Sequence, residues 1–173
     1  INDFKKSKNL ISKERDVIEA KEILNKLKGK YNIGLSWKSF KNRYADEKSI
    51  LLDDFINIFK NEECNFINLQ YGKVDKEINQ FNSKYNQNII TFKDLDLFND
   101  FDKISGVLKN LDLFISVSNS TAHLAGSLGV KTLLIKPQNH ALFHYWNQSG
   151  DSTPWYKSVR LIEKNKILNE KKI

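Results

Sequence analysis

Apolar positions along the chain keep two rhythms in turn. Short runs rich in β-branched and aromatic residues occupy 31–37, 65–69, 88–92, 113–117, 133–135 and 159–162. They have the length and composition of strands. Between them the apolar residues fall three and four apart, the spacing of a helix with one buried face. Val17, Ala20, Ile23, Leu24 and Leu27 predict a first helix, with Ser12 as its cap and Gly29 as its end. Leu51, Leu52, Phe55, Ile58 and Phe59 predict one helix over 50–59, and further helices are expected over 74–85 and 101–111. Strand and helix alternate throughout, so the fold class is α/β: a Rossmann-like parallel sheet with helices on both faces. Ligands of such sheets bind beyond the carboxyl ends of the strands.

Residues 112–134 carry the clearest unit. A buried strand at 113–117 runs into four small polar residues, 118–121. Ala122, Leu124, Ala125 and Leu128 then follow at helical spacing, Gly129 stops the helix, and a strand resumes at 133. The turn would open a helix at a strand's carboxyl end, where free N–H groups and the helix dipole favour anions such as a diphosphate. Ser120 and Thr121 add hydroxyl donors there, and His123 falls in the first turn. Two plainer readings stand beside this one: Asn119 or Ser120 as an N-cap only, and His123 as a packed helix residue.

The pattern sets three regions: a polar lead and helix over 1–30, one domain over 31–164, and a polar tail over 165–173. The segments 38–48 and 139–155 are long loops. Three polar segments, 36–48, 70–73 and 118–123, end strands, and in a parallel sheet they share one edge. Lys38, Arg43 and Lys48 could neutralise a phosphate group there, and the plainer reading of each lysine is a solvated surface charge. Trp37 suits either stacking on a ligand ring or core packing.

Composition narrows the function. With 173 residues, 40% hydrophobic, the chain can build one real core. It has no apolar run long enough to span a membrane, and its polar, basic start does not read as a signal peptide. Cys64 is the single cysteine, which excludes an internal disulfide and fits a cytoplasmic setting. The sequence contains no methionine, so a piece of a longer polypeptide or a mature product is expected. The net charge of +7 comes from lysines spread along the whole chain, which argues against a focused nucleic-acid stripe. Neither a Gly-x-Gly-x-x-Gly turn, nor a phosphate-loop Gly-Lys-Ser/Thr, nor a Gly-x-Ser-x-Gly elbow is present. His123, His140 and His144 lack metal-ligand spacing.

Gly34-Leu-Ser-Trp37, Lys48-Ser49, Asn68-Leu-Gln-Tyr-Gly72, Ser116-Val-Ser-Asn-Ser-Thr-Ala-His-Leu-Ala-Gly-Ser-Leu-Gly129 and Ser152-Thr-Pro-Trp-Tyr156 occur in this order. Over about 31–164 the chain resembles the C-terminal half of bacterial glycosyltransferases of the GT-B architecture. It is similar to tetratricopeptide-repeat-linked glycosyltransferases, to the ADP-heptose:lipopolysaccharide heptosyltransferases and, more distantly, to the O-linked N-acetylglucosamine transferases. Ser118 and Asn119 stand where many members have Asp. The resemblance implies the donor half of an inverting, metal-independent enzyme that transfers a hexosyl or heptosyl group. The substrate would be a nucleotide-diphosphate sugar, with no further cofactor. The acceptor would be a glycan, a lipopolysaccharide or a protein. By the resemblance the donor site comprises Ser36, Trp37, Lys48, Gln70, Asn119, Ser120, Thr121 and His123. The catalytic base is expected on an N-terminal domain that this sequence does not include, so the fragment alone is expected to be inactive. A non-catalytic nucleotide-binding module and a basic nucleic-acid-binding domain are the alternatives.

Overall fold

A computed structural model of the chain describes residues 9–40, 45–137, 145–146, 150–164 and 166. The elements are α1 (Glu14–Leu24), β1 (Tyr31–Ser36), α2 (Ala45–Lys48), β2 (Cys64–Asn68), α3 (Asp75–Tyr85), β3 (Ile89–Ile90), α4 (Phe101–Lys109), β4 (Leu113–Val117), α5 (Ser120–Ser127), β5 (Thr132–Ile135) and β6 (Val159–Ile162). The six strands form one parallel sheet in the order β3-β2-β1-β4-β5-β6. This is the doubly wound α/β arrangement that the alternation predicts. β1 lies between β2 and β4, with Ile33 opposite both Phe66 and Leu113. The strand order reverses at that point.

Side chains alternate across each strand, so the sheet feeds two apolar layers. Ile67, Phe114 and Leu69 pack under α1, α4 and α5 with Ala20, Leu24, Leu108 and Ala125. Leu35, Trp37, Phe66, Ile115 and Val117 pack on the other side with Phe55, Ile78 and Phe81. Gly34 is required where α4's end meets β1. A Cβ there would stand 2.5 Å from Leu111 Cδ1 and 3.0 Å from Phe114 Cδ2.

Four local expectations change. The segment 50–59 forms two 3-10 turns, Leu52–Phe55 and Ile58–Lys60, instead of one helix. Asp54 accepts the Leu51 N–H through its carboxylate at 3.0 Å, a local bond of the kind that competes with helical turns. Ser12 does not cap α1. Its hydroxyl donates to the Ser105 carbonyl on α4, 3.4 Å away. The buried face of α1 is Asp16, Ala20 and Leu24, and Ile23 is exposed. The strand expected over 88–92 pairs only at Ile89–Ile90.

Candidate functional site

The carboxyl ends of β1 and β4 flank the crevice at the reversal point, where doubly wound sheets take their ligands. Asn119 Nδ2 bridges this crevice, donating to Ser36 Oγ at 2.8 Å. Ser36 Oγ donates in turn to Gln70 Oε1 at 3.1 Å. The same Gln70 oxygen accepts the backbone N–H groups of Trp37 (2.8 Å) and Lys38 (2.6 Å). Gln70 Nε2 donates to the Tyr71 carbonyl at 2.8 Å. All three side chains are buried. Buried polar groups of this kind need partners, and here they satisfy one another while fixing the turn that leaves β1.

Asn119 is also the N-cap of α5: its Oδ1 accepts the Ala122 N–H at 3.0 Å. The cap reading therefore holds for Asn119, and Ser120 is the exposed first residue of the helix. Thr121 is buried beside it. The first N–H groups of a helix have no intrahelical acceptor, so those of Ser120 and Thr121 point out of α5 at the sheet edge. Their positive end of the helix dipole faces the same way.

Lys48 ends α2 and is buried. Its ammonium lies close enough to His123 to act on the ring's charge. Burial, and secondarily this cation, hold the His123 pKa below its ordinary value. The ring stacks on Trp146 at 4.9 Å between centroids and meets the edges of Tyr145 and Tyr156. His123 Nδ1 is 3.0 Å from the Tyr156 hydroxyl. Gly126 makes room for that tyrosine, since a Cβ there would stand 2.6 Å from its ring. Trp146 Nε1 donates to Ser118 Oγ at 2.9 Å. His123 is thus a packed aromatic as well as a neighbour of the helix start.

Trp37 is fully buried in the core, so its ring has no surface on which a ligand could stack. Its indole N–H donates to Glu77 Oε1 at 3.1 Å, and the other oxygen of Glu77 pairs with Lys38 Nζ. That pairing spends much of the Lys38 charge within the protein. The structure therefore gathers Ser36, Lys48, Gln70, Asn119, Ser120, Thr121 and His123 around one edge and places Trp37 beneath it. Arg43, His140 and His144 lie outside the described residues. Tyr156, Trp146 and Glu77 enter as neighbours that sequence spacing did not single out. For the first, the signal lay in the quoted 152–156 segment. Among the described residues no three His, Cys, Asp or Glu side chains gather as metal ligands, and no helix is long and apolar enough to cross a membrane.

No family model matches the chain. It is 30% identical over 142 residues to Protein FlbA of Caulobacter vibrioides, an alignment covering 81% of this chain and 23% of that protein. Among solved structures it resembles the glycosyl transferase family 9 protein from Veillonella parvula, with a TM-score of 0.65 and 13% identity. That match covers 90% of this chain and 42% of the other. E. coli ADP-heptose lps heptosyltransferase II gives a TM-score of 0.59 at 10% identity, over 93% of this chain and 49% of that one. E. coli heptosyltransferase WaaC with ADP gives 0.53 at 12%, over 83% and 42%. The chain shares the Rossmann-like α/β fold of these structures. It spans under a quarter of its curated relative's length and under half of each solved neighbour.

Proposed function

We propose that this chain is the donor-binding half of a GT-B glycosyltransferase, inverting and metal-independent, and that its substrate is a nucleotide-diphosphate sugar. One observation carries the reading. The α5 N-terminus opens at the β1/β4 reversal point, and the buried residue Lys48, at the end of α2, acts electrostatically on His123 of the same helix. Helix amides and a cation at one crevice suit a diphosphate leaving group. The fold likeness to heptosyltransferases, one of them solved with ADP, supports the same reading. Ser120 and Thr121 would donate to the phosphates, and Lys48 would offset the charge that develops as the sugar leaves. Asn119, Ser36 and Gln70 would act by holding the crevice in shape. A base on a second domain would activate the acceptor hydroxyl of a glycan, lipopolysaccharide or protein. Tetratricopeptide repeats in the longer polypeptide and a cytoplasmic setting complete the proposal.

The mutual bonding of Ser36, Gln70 and Asn119 favours a second reading, a nucleotide-binding module without transfer. Calorimetry with UDP, ADP and GDP, each set against its nucleoside, tests the site. Lys48→Ala is expected to weaken the diphosphate by about 1–3 kcal/mol, the usual worth of a bond to a charged group, and to leave the nucleoside unchanged. Equal losses for both ligands would return Lys48 to a structural role. Turnover by the longer gene product then separates enzyme from binding module.

A further inference from the structure

A parallel sheet is stable when both faces are covered, and here the described residues cover one face only in part. The side carrying Leu35, Phe66 and Ile115 is roofed near β1–β3 by α3 and the two 3-10 turns. Toward the amino ends of the strands, opposite the diphosphate-type edge, Ile33, Leu113 and Leu133 on the same side are only partly buried. Two cavities open there, of about 480 and 470 Å³, and both are lined by Leu113. They make one groove that crosses β2, β1, β4, β5 and β6. Four strand spacings amount to about 19 Å, the length of a helix of about 13 residues. Of the charged residues lining the groove, Lys60, Lys131, Lys157 and Arg160 are basic and Glu62 is acidic; Arg160 pairs with Asp151, and Glu63 and Asp112 act on the lining Cys64, so the basic excess rests on the lysines. Ser158 Oγ, in the same lining, is buried with no hydrogen-bond partner among the described residues.

We propose that this groove is a docking site for an acidic amphipathic helix of a separate partner polypeptide. Its apolar face would cover Ile33, Leu113 and Leu133. Its carboxylates would meet the lysines at the rim. A second copy of this basic chain would bring like charge to the groove, and so would the chain's own lysine-rich end. The site is independent of the nucleotide reading, because it lies at the other end of the strands.

The test uses the whole chain and two labelled peptides of about 14 residues, one a leucine/glutamate amphipathic helix and one its leucine/lysine counterpart. Fluorescence anisotropy should show the acidic peptide binding about tenfold more tightly or better. Leucine and isoleucine methyl shifts in NMR should move at Ile33, Leu113 and Leu133. The surface double variant Lys131→Glu/Lys157→Glu should reverse the preference without threatening the fold, whereas Leu133→Asp should abolish binding by either peptide. Equal binding of the two peptides, shifts elsewhere, or insensitivity to charge reversal would overturn the proposal. So would sedimentation showing a dimer through this face that excludes the peptide.

Discussion

His123 shows how one side chain can serve two masters. Its ring is packed against Trp146 and Tyr156, and burial with a nearby Lys48 favours the neutral form. A histidine with a lowered folded pKa binds fewer protons folded than unfolded below its ordinary value of 6.5. Its contribution to stability is therefore complete above that pH and is lost as the pH falls through the folded pKa. Urea unfolding followed from pH 7.5 to 5 should show this loss, and His123→Phe should flatten it. An NMR titration of the ring adds the functional arm. A bound diphosphate beside Lys48 should raise the His123 pKa, since an adjacent anion favours imidazolium. No change on adding nucleotide would leave His123 with packing alone. The sequence made His123 visible through its place in the helix's first turn. It could not show the aromatic cage, because Trp146 and Tyr156 reach the ring from 23 and 33 positions away, across a fold rather than along a helix.

At the scale of elements, the turn that leaves β1 depends on Gln70. Its carbonyl oxygen takes two backbone N–H groups and a hydroxyl. Gln70→Ala should leave buried donors without an acceptor and cost about 1–3 kcal/mol. It should also loosen Asn119 through Ser36, so nucleotide binding should weaken although Gln70 need not touch the ligand. Chemical denaturation and calorimetry on the same variant read both effects, and a loss of stability with unchanged affinity would separate the brace from the site. The elements themselves were largely legible. The strand, cap and helix at 113–128 follow from local pattern, and so does the alternation that dictates a parallel sheet. What failed did so where local and distant bonds compete. Asp54 breaks the 50–59 segment, and contact with α4 selects the buried face of α1. Gln70 reads in sequence as one polar residue at a strand end, and its three bonds come from residues more than 30 positions away.

For the molecule as a whole, the candidate site occupies one edge of one sheet. Holding an acceptor and excluding water needs a second wall, and proximity of that kind accounts for roughly 7–11 kcal/mol of barrier. This chain should therefore bind a nucleoside diphosphate yet transfer no sugar when incubated alone with a panel of nucleotide sugars and acceptors. Sustained transfer by the isolated chain would show that it supplies its own base and would overturn the division of labour.

The strand order has a consequence for how the protein is made. β1 pairs on one side with β2, about 33 residues on, and on the other with β4, 80 residues on (Ile33 with Phe66 and Leu113). On a ribosome, β1, β2 and β3 can associate while β4 is still unsynthesised, which leaves the inner edge of β1 open. Such an edge is a template for pairing with another nascent chain, and long-range parallel pairing is intrinsically slow. The crevice between β1 and β4 is thus the last part of this half of the sheet to close. Its Asn119–Ser36 bond spans 83 positions, so the candidate site and protection from misassembly arrive in the same step.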